Sequence, residues 1–209
     1  MRKTVRDVMT TRVVSVRQDA PVKAMAEMLM SRRISAFPVL SDAGRVIGIV
    51  SEGDLLVKVA VQAAGTSVLA ALRHRREDDK ARGVTAGDLM SKPPITIGPE
   101  ASVEAAARVM YDRGVKRLPV VDQAGRLLGI VSRVDLLSVY RRPDAEIRDE
   151  ITHQALPSVI PGESTHIAIT VKDGIVTLSG GVVSPEARRA AMDAARQVQG
   201  VVAVRNRFG

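Results

Sequence analysis

Two predicted helix starts carry the same pair of polar side chains. Ser51 and Asp54 enclose the segment S-E-G-D, and Ser132 and Asp135 enclose S-R-V-D, each directly after an apolar run. A helix start offers unpaired N–H groups and a positive dipole end to an anion. A carboxylate one turn into the helix can accept hydrogen bonds from two neighbouring hydroxyls, as a ribose provides. The same spacing also forms a helix cap without a ligand, so one copy alone leaves both interpretations open.

Catalytic chemistry finds little support in the residue types of the chain. There is no cysteine, and the three histidines, His74, His153 and His166, stand at no spacing typical of a metal site or of a catalytic base with an orienting partner. The sequence has no G-x-x-x-x-G-K-[ST] loop for nucleotide hydrolysis. We therefore expect a binding protein and not an enzyme.

Charge is unevenly distributed along the chain. Residues 1–142 contain 24 Lys and Arg against 15 Asp and Glu, whereas residues 143–209 contain 7 against 8. The N-terminal part should therefore attract anions, although its cations are spread evenly and form no dense stripe for DNA. Aromatic residues make up 2% of the chain, too few to stack successive bases.

The length of the chain favours two compact units of roughly 140 and 65 residues. The first residues lack the continuous apolar run of a secretory signal. The longest weakly charged stretch, 59–72, is shorter than the ~20 residues that span a bilayer. A cytoplasmic protein is the expectation.

An internal repeat predicts the architecture of the N-terminal part. Residues 7–56 align without a gap with residues 88–137, at an offset of 81, and nineteen of the fifty positions are identical. Hydrophobic periodicity gives each copy the order βαββα, with the last helix opening at the S-x-x-D segment. The first copy is predicted as strand 13–16, helix 21–31 capped by Asp19, strands 37–40 and 46–50, and a helix from Ser51. The second copy is predicted as strand 95–97, helix 103–112, strands 118–121 and 127–131, and helix 132–140.

The segment between the copies, 57–84, is rich in helix-forming residues apart from Gly65, Thr66 and Ser67. It predicts a continuation of the preceding helix, a break, and a second helix that ends in the charged run 73–80, where His74 should be solvated. A solvated connector and a partner-binding arm both remain open as its role.

The motifs of the two copies resemble those of a known family. The first copy reads D-V-M-T, S-A-F-P-V-L and D-A-G-R-V-I-G-I-V-S-E-G-D-L-L, and the second carries K-R-L-P-V-V and D-Q-A-G-R-L-L-G-I-V-S-R-V-D-L-L. Over residues 1 to about 140 the chain is similar to a tandem pair of cystathionine-beta-synthase (CBS) domains. The resemblance implies two three-stranded sheets packed together, two related clefts that bind an adenine nucleotide, and a homodimer formed through the CBS pairs.

By this resemblance, each cleft combines the S-x-x-D segment of one copy with the segment before the Pro-Val strand of the other, plus a residue of the other's first strand. The Asp would hold the ribose, and the Ser would contact the phosphate side. Cleft one would use Ile49, Ser51 and Asp54 with Ile95, Val115, Lys116 and Arg117. Cleft two would use Ile130, Ser132 and Asp135 with Val14, Ile34 and Ser35.

The two clefts should differ in charge. Lys116 and Arg117 stand where the first copy has Ser35 and Ala36. Charge-assisted hydrogen bonds are roughly twice as strong as neutral ones, so cleft one should bind phosphorylated ligands more tightly. The alternative is that Lys116 and Arg117 are ordinary surface residues.

The C-terminal segment 143–209 has another pattern. It predicts helix 144–156, strands 166–171 and 175–180, an Ala-rich helix 185–199, and a last strand 201–206. Gly174 should form the hairpin turn and Gly200 the helix C-cap. The runs V-K-D-G-I-V-T-L-S-G and V-Q-G-V-V-A-V-R-N-R resemble those of a BON domain (bacterial OsmY and nodulation), a family proposed to bind phospholipid.

The predicted fold class is α/β and α+β, with two βαββα CBS repeats packed as a pseudo-twofold pair and a small αββαβ BON domain. The predicted boundaries are 1–56 and 85–142 for the repeats, 57–84 for the helical linker and 143–209 for the BON-like domain.

The predicted function is regulatory, with AMP, ADP or ATP as ligand and no obligatory cofactor. S-adenosylmethionine and NAD remain open as ligands. The signal would pass through the BON-like domain to an unknown downstream protein. The alternatives are a scaffold with empty clefts, nucleic-acid binding through the distributed arginines, and phospholipid association of the BON-like domain. The last is disfavoured by the missing export signal and by the charge of residues 143–209.

Overall fold

The first repeat folds in the predicted order and the second does so except for its first strand, with shifts at the ends of the elements in both. The structure is a computed structural model and describes residues 3–64, 83–162, 166–181 and 184–208. The elements of the first repeat are α1 Val5–Val8, β1 Val16–Arg17, α2 Val22–Arg32, β2 Ala36–Leu40, β3 Val46–Ser51 and α3 Glu52–Ala64. Those of the second are α4 Ala86–Leu89, α5 Val103–Asp112, β4 Arg117–Val121, β5 Leu127–Ser132, α6 Arg133–Leu136 and a 3-10 helix Leu137–Arg141.

The described residues divide into two compact units. The first, called the repeat unit, comprises residues 9–101 and 109–132, and the second, called the tail unit, comprises 1–8, 102–108 and 133–209. The helical continuation predicted for the connector is confirmed as far as Ala64. The break, the second helix and His74 lie outside the described residues.

The sheets of the repeat unit are built on two equivalent hairpins. Strands β2 and β3 pair antiparallel with Phe37 opposite Val50, and β4 and β5 pair antiparallel with Leu118 opposite Val131. These four side chains are fully buried. The burial of apolar side chains is the main favourable contribution to the free energy of folding, so these hairpins stabilise the repeat unit.

The strand predicted at 95–97 is wrong, so the second repeat has a two-stranded sheet. Strand β1 runs parallel to β2 in the first repeat, whereas in the second only Ile97 forms a single parallel bridge, to Val120. Pro93, Pro94 and Pro99 flank this segment. Prolines have no N–H to donate to a ladder, which explains why the pairing stays at one residue.

Two predictions about helix ends are also wrong. Asp19 does not cap α2, because Pro21 occupies the N-cap position, without a side-chain hydrogen bond, and the N–H of Val22 donates to the carbonyl of Val84 at 3.1 Å instead. The last helix of the second repeat is not continuous over 132–140, since α6 gives way to the 3-10 helix after Leu136.

The opening segment of each repeat forms backbone hydrogen bonds with the other repeat. Thr10 and Ile130 exchange two backbone hydrogen bonds of 2.9 Å, and Ser91 and Ile49 exchange bonds of 2.8 and 3.2 Å. The opening segment of each copy thus lies along the third strand of the other.

Glycine permits this close approach. A Cβ built on Gly48 would lie 2.5 Å from Met90 Sδ, and one built on Gly129 would lie 2.7 Å from Met9 Sδ and 2.9 Å from the carbonyl oxygen of Thr10. Only a residue without a side chain fits both positions.

The tail unit contains the predicted αββαβ order. Its sheet has the strand order β6 (Ile167–Lys172), β7 (Ile175–Gly180), β8 (Ala203–Phe208), in which β6 and β7 are antiparallel and β7 and β8 parallel. Its core includes Ile147, Ile151, Leu156, Val176, Leu178, Ala191 and Ala195. The elements are α7 Asp144–Glu150, a π-helical turn Ile151–Ala155, α8 Leu156–Val159, β6 Ile167–Lys172, β7 Ile175–Gly180, α9 Pro185–Arg196 and β8 Ala203–Phe208.

Turn residues of the tail unit are partly as predicted. Gly174 forms the hairpin turn with φ 72°, next to Asp173 at φ 53°, and the N–H groups of both donate to the Asp144 carboxylate at 2.7 and 2.9 Å. The predicted C-cap at Gly200 is wrong, because α9 ends at Arg196 with Gln197 as its cap. Gly200, with φ 95°, lies in the turn that leads to β8.

Arg33 and Gly114, which are equivalent in the repeat, provide a test of backbone strain. Both have a left-handed backbone, with φ 51° and 64°, and a left-handed conformation costs a non-glycine residue ~1–2 kcal/mol. Arg33→Gly should therefore raise the free energy of unfolding by about 1 kcal/mol, and Gly114→Ala should lower it by a similar amount. A Cβ at Gly114 meets no atom within 4 Å, so strain alone would act there. Urea denaturation measures both changes, and equal stability of all three proteins would contradict this account.

Candidate ligand-binding site

The S-x-x-D segment of the first repeat forms a compact hydrogen-bonded start to α3. Asp54 Oδ2 accepts from the Ser51 N–H at 2.8 Å and from the Ser51 hydroxyl at 2.7 Å. Both residues are half-buried. The contact holds the carboxylate at the first turn of a helix 13 residues long, beside the N–H groups of its start.

The same geometry occurs where no ligand was predicted. Asp88 Oδ2 accepts from the N–H of Thr85 at 3.0 Å and from its hydroxyl at 2.8 Å, and Asp7 Oδ2 bonds Thr4 in the same way. The N–H of Val84 and the hydroxyl of Thr85 lower the pKa of Asp88 because they stabilise its ionised form. The hydrogen bonds of S-x-x-D therefore serve capping in this chain, and what distinguishes Asp54 is its surroundings.

Asp54 lines a cavity of about 390 Å³ within the repeat unit. One wall comes from the end of β3 and the start of α3, and the other from Ser91 and the segments 93–95 and 114–117 of the second repeat. The lining residues are Ser35, Ala36, Ile49, Ser51, Glu52, Gly53, Asp54, Leu56, Ser91, Pro93, Pro94, Ile95, Gly114, Val115, Lys116 and Arg117. This volume falls in the range of small-molecule sites.

All the residues predicted for cleft one line this cavity. They are Ile49, Ser51, Asp54, Ile95, Val115, Lys116 and Arg117. Asp54 and Arg117 are half-buried, whereas Lys116 is exposed. The structure thus brings the acidic helix start of one repeat and the two cations of the other to a single cavity.

Ser35, predicted for cleft two, lines this same cavity. The carbonyl of Ser35 accepts from the N–H of Glu52 at 3.0 Å, and the following residue, Ala36, pairs with Ser51. These backbone contacts hold Ser35 beside the start of α3.

The remaining residues of cleft two do not all fall in one unit. Ser132 and Ile130 belong to β5 in the repeat unit, and Asp135 belongs to α6 in the tail unit. Val14 and Ile34 pack against the core of the repeat unit. Cleft two stays a prediction.

Sequence reasoning missed several lining residues. Glu52 is exposed at the first position of α3 and adds a second carboxylate to the cavity, and Pro93 and Pro94 form the wall next to Ile95. Glu52 could have been found from its place inside S-E-G-D. No sequence pattern marks Pro93 and Pro94 as lining residues, because they reach the cavity through the backbone pairing of Ser91 with Ile49.

None of the helices in the described ranges is both long and apolar enough to cross a bilayer. That same part of the chain holds no cluster of three or more His, Asp or Glu side chains suited to a metal ion.

Fold and cavity together define a duplicated module with a cavity between its two copies, followed by a small α/β domain. The chain belongs to the CBS-domain family: the family model of the CBS domain matches residues 5–61 and 86–142, and that of the BON domain matches residues 143–208. Both resemblances noted in the sequence are thereby confirmed.

Known proteins with similar CBS pairs include ligand complexes. Protein MK0525 of Methanopyrus kandleri is 32% identical over 135 residues, which are 63% of this chain and 61% of that protein. CBSX2 of Arabidopsis thaliana, solved in complex with AMP, is 30% identical, with a TM-score of 0.57 over 65% of this chain and 94% of that chain. The CBS domain pair of protein MJ0100, solved with 5′-methylthioadenosine and S-adenosyl-L-methionine, has a TM-score of 0.55 over 68% and 98% of the two chains. At 19% identity, this similarity to the chain shows a shared fold and nothing further. The chain thus spans less than two thirds of the curated relative's length.

Proposed function

We propose that the protein is a regulatory sensor that binds AMP, ADP or ATP in the cavity beside Asp54. The observation that carries this proposal is the meeting of two kinds of side chain there. Ser51 and Asp54 come from one repeat, and Lys116 and Arg117 come from the other. A nucleotide has a sugar diol and a charged phosphate group, which need acceptors and cations respectively.

The chemistry of each part fits a nucleoside phosphate. A carboxylate has about four acceptor positions, so Asp54 can accept from ribose hydroxyls while it accepts from Ser51. The start of α3 carries the positive end of the helix dipole, which favours an anion. Ile49, Ile95 and Val115 provide apolar surface for a base. S-adenosylmethionine and NAD share the adenosine part, but the two cations favour a ligand with phosphate.

Replacing Asp54 should remove the sugar contact. Hydrogen bonds to charged groups contribute ~1.5–3 kcal/mol, so Asp54→Ala should weaken the tighter AMP site roughly 10- to 150-fold. Isothermal titration calorimetry of the full chain with AMP measures this change.

Asp88→Ala is the matched control. Asp88 bonds Thr85 as Asp54 bonds Ser51, but it does not line the cavity. Both variants should lose ~1 kcal/mol of capping stability, and only Asp54→Ala should lose ligand affinity. Equal AMP affinity in the two variants would reject the assignment of the sugar contact.

Lys116→Ser tests the phosphate contact, because Ser is the residue of the equivalent position 35. Loss of one charge-assisted contact should weaken AMP binding about tenfold and leave adenosine binding unchanged. Lys23→Ser removes an equal charge from an exposed lysine on α2 that does not line the cavity, and should change neither. A parallel loss of AMP and adenosine affinity would show that Lys116 does not select phosphate.

A homodimer formed through the CBS pairs is part of the same proposal. Large apolar side chains are exposed at equivalent positions of the two repeats. These pairs are Met30 and Tyr111, Leu56 and Leu137, and Val59 and Tyr140. Repetition of an exposed apolar pattern supports a two-fold association in which like surfaces meet.

Signal transfer to the BON domain is the third part, and Gln199 supports it. This buried side chain accepts from the N–H of Lys3 at 2.8 Å and donates to the Glu104 carboxylate at 3.0 Å, and its backbone carbonyl accepts from Arg142 at 3.2 Å. Glu104 lies on α5, and Lys116 follows that helix in the chain by four residues. A shift of α5 on ligand binding would therefore act on the Gln199 contacts.

Gln199→Ala should uncouple the two events. We expect AMP to alter hydrogen exchange in β6 and β7 of the wild-type chain and not in the variant, with AMP affinity unchanged in calorimetry. Gln154→Ala, which alters an exposed glutamine of the same domain, serves as the control and should behave as the wild type. An undiminished exchange response in Gln199→Ala would exclude this route.

A further inference from the structure

One face of the sheet of the tail unit lies outside the core that the described helices of that unit cover. Ile169, Val171 and Val204 pack against the core on the other face, together with Val176 and Leu178. Successive side chains of a strand point to opposite faces, so the intervening residues project from the open face. We call the surface formed by residues 168, 170, 172, 175, 177, 179, 203, 205 and 207 the open sheet face.

This face is basic although its domain is not. Lys172, Arg205 and Arg207 lie on it and are exposed, and its nine residues include no Asp or Glu. Residues 143–209 as a whole contain 7 Lys and Arg against 8 Asp and Glu. The face therefore carries three positive charges and no carboxylate of its own, which gives it an attraction for anions that the net charge of the domain conceals.

Hydroxyl groups and arginines form regular rows across the strands. Thr170, Thr177 and Arg205 are successive neighbours in one row, and Ser179 lies beside Arg207 in the next. Arg205 and Arg207 are two residues apart on β8, so their Cα atoms are about 6.6 Å apart. Two guanidinium groups in line, each next to hydroxyl donors, match a row of phosphates.

We infer that the open sheet face binds the sugar-phosphate backbone of a single-stranded nucleic acid. Ser, Thr and Arg side chains are the usual donors to backbone phosphates, and a positively charged track follows the strand without reading its sequence. The absence of aromatic residues among these nine positions makes base stacking there negligible.

A bilayer surface fits the face less well. Peripheral membrane binding gains affinity from large apolar side chains that enter the lipid, in addition to charge. The open sheet face offers Ile175 as its one large apolar side chain, and Ile175 is half-buried between the neighbouring strands. A flat, polar and cationic surface suits an extended polyanion better.

The test is fluorescence anisotropy of a labelled oligouridylate with the full chain over a series of salt concentrations. Arg205→Gln/Arg207→Gln should lower the affinity at low salt about tenfold or more. It should also reduce the slope of log affinity against log salt by about 1.4, because each phosphate contact contributes about 0.7 for a single strand. Circular dichroism confirms that the variants are folded.

Arg189→Gln/Arg196→Gln is the control, since it removes the same charge from two exposed positions on α9. It should bind RNA as the wild type does. Equal losses in the two double variants would show unspecific attraction and overturn the proposal, as would a wild-type chain that does not bind the RNA. Sedimentation with vesicles of phosphatidylglycerol and phosphatidylcholine that needs Arg205 and Arg207, with RNA binding independent of them, would overturn it in favour of lipid.

Discussion

Backbone pairing between the repeats is the interaction on which the candidate site depends. Ser91 and Ile49 exchange two hydrogen bonds, and the residues that follow each of them in the chain line opposite walls of the cavity. Gly48 and Gly129 allow the repeats to pair this closely. A side chain at Gly48 would collide with Met90, and one at Gly129 would collide with Met9. The segment G-I-V-S recurs in both copies, and this backbone contact requires its glycine whether or not a ligand binds.

The parts of the structure that could be predicted from sequence are those set by local chemistry. The hairpins follow from alternating apolar residues joined by a D-A-G or Q-A-G turn, and Gly44 and Gly125 do adopt positive φ there. Cleft one was predicted through family resemblance, which supplied the pairing of one repeat's helix start with the other repeat's loop. Periodicity alone gives no information on which loops meet.

The failures have two kinds of cause. Asp19 looked like a helix cap, but the carbonyl of Val84, which is distant in sequence, accepts from the first N–H of α2. Hydrophobic periodicity cannot show such a partner. The strand predicted at 95–97 fails for a local reason, because the prolines on either side of it have no N–H to donate to a ladder.

Residues 143–208 match the BON family as a unit of their own, but hydrogen bonds link them to other parts of this chain. The buried side chain of Gln199 accepts from Lys3 and donates to Glu104 on a helix of the second repeat, so three distant parts of the sequence meet at one glutamine. Transplanting residues 143–209 behind a different CBS pair would remove both of these partners. Recombination at the domain boundary would therefore lose these hydrogen bonds unless the recipient supplied equivalent groups.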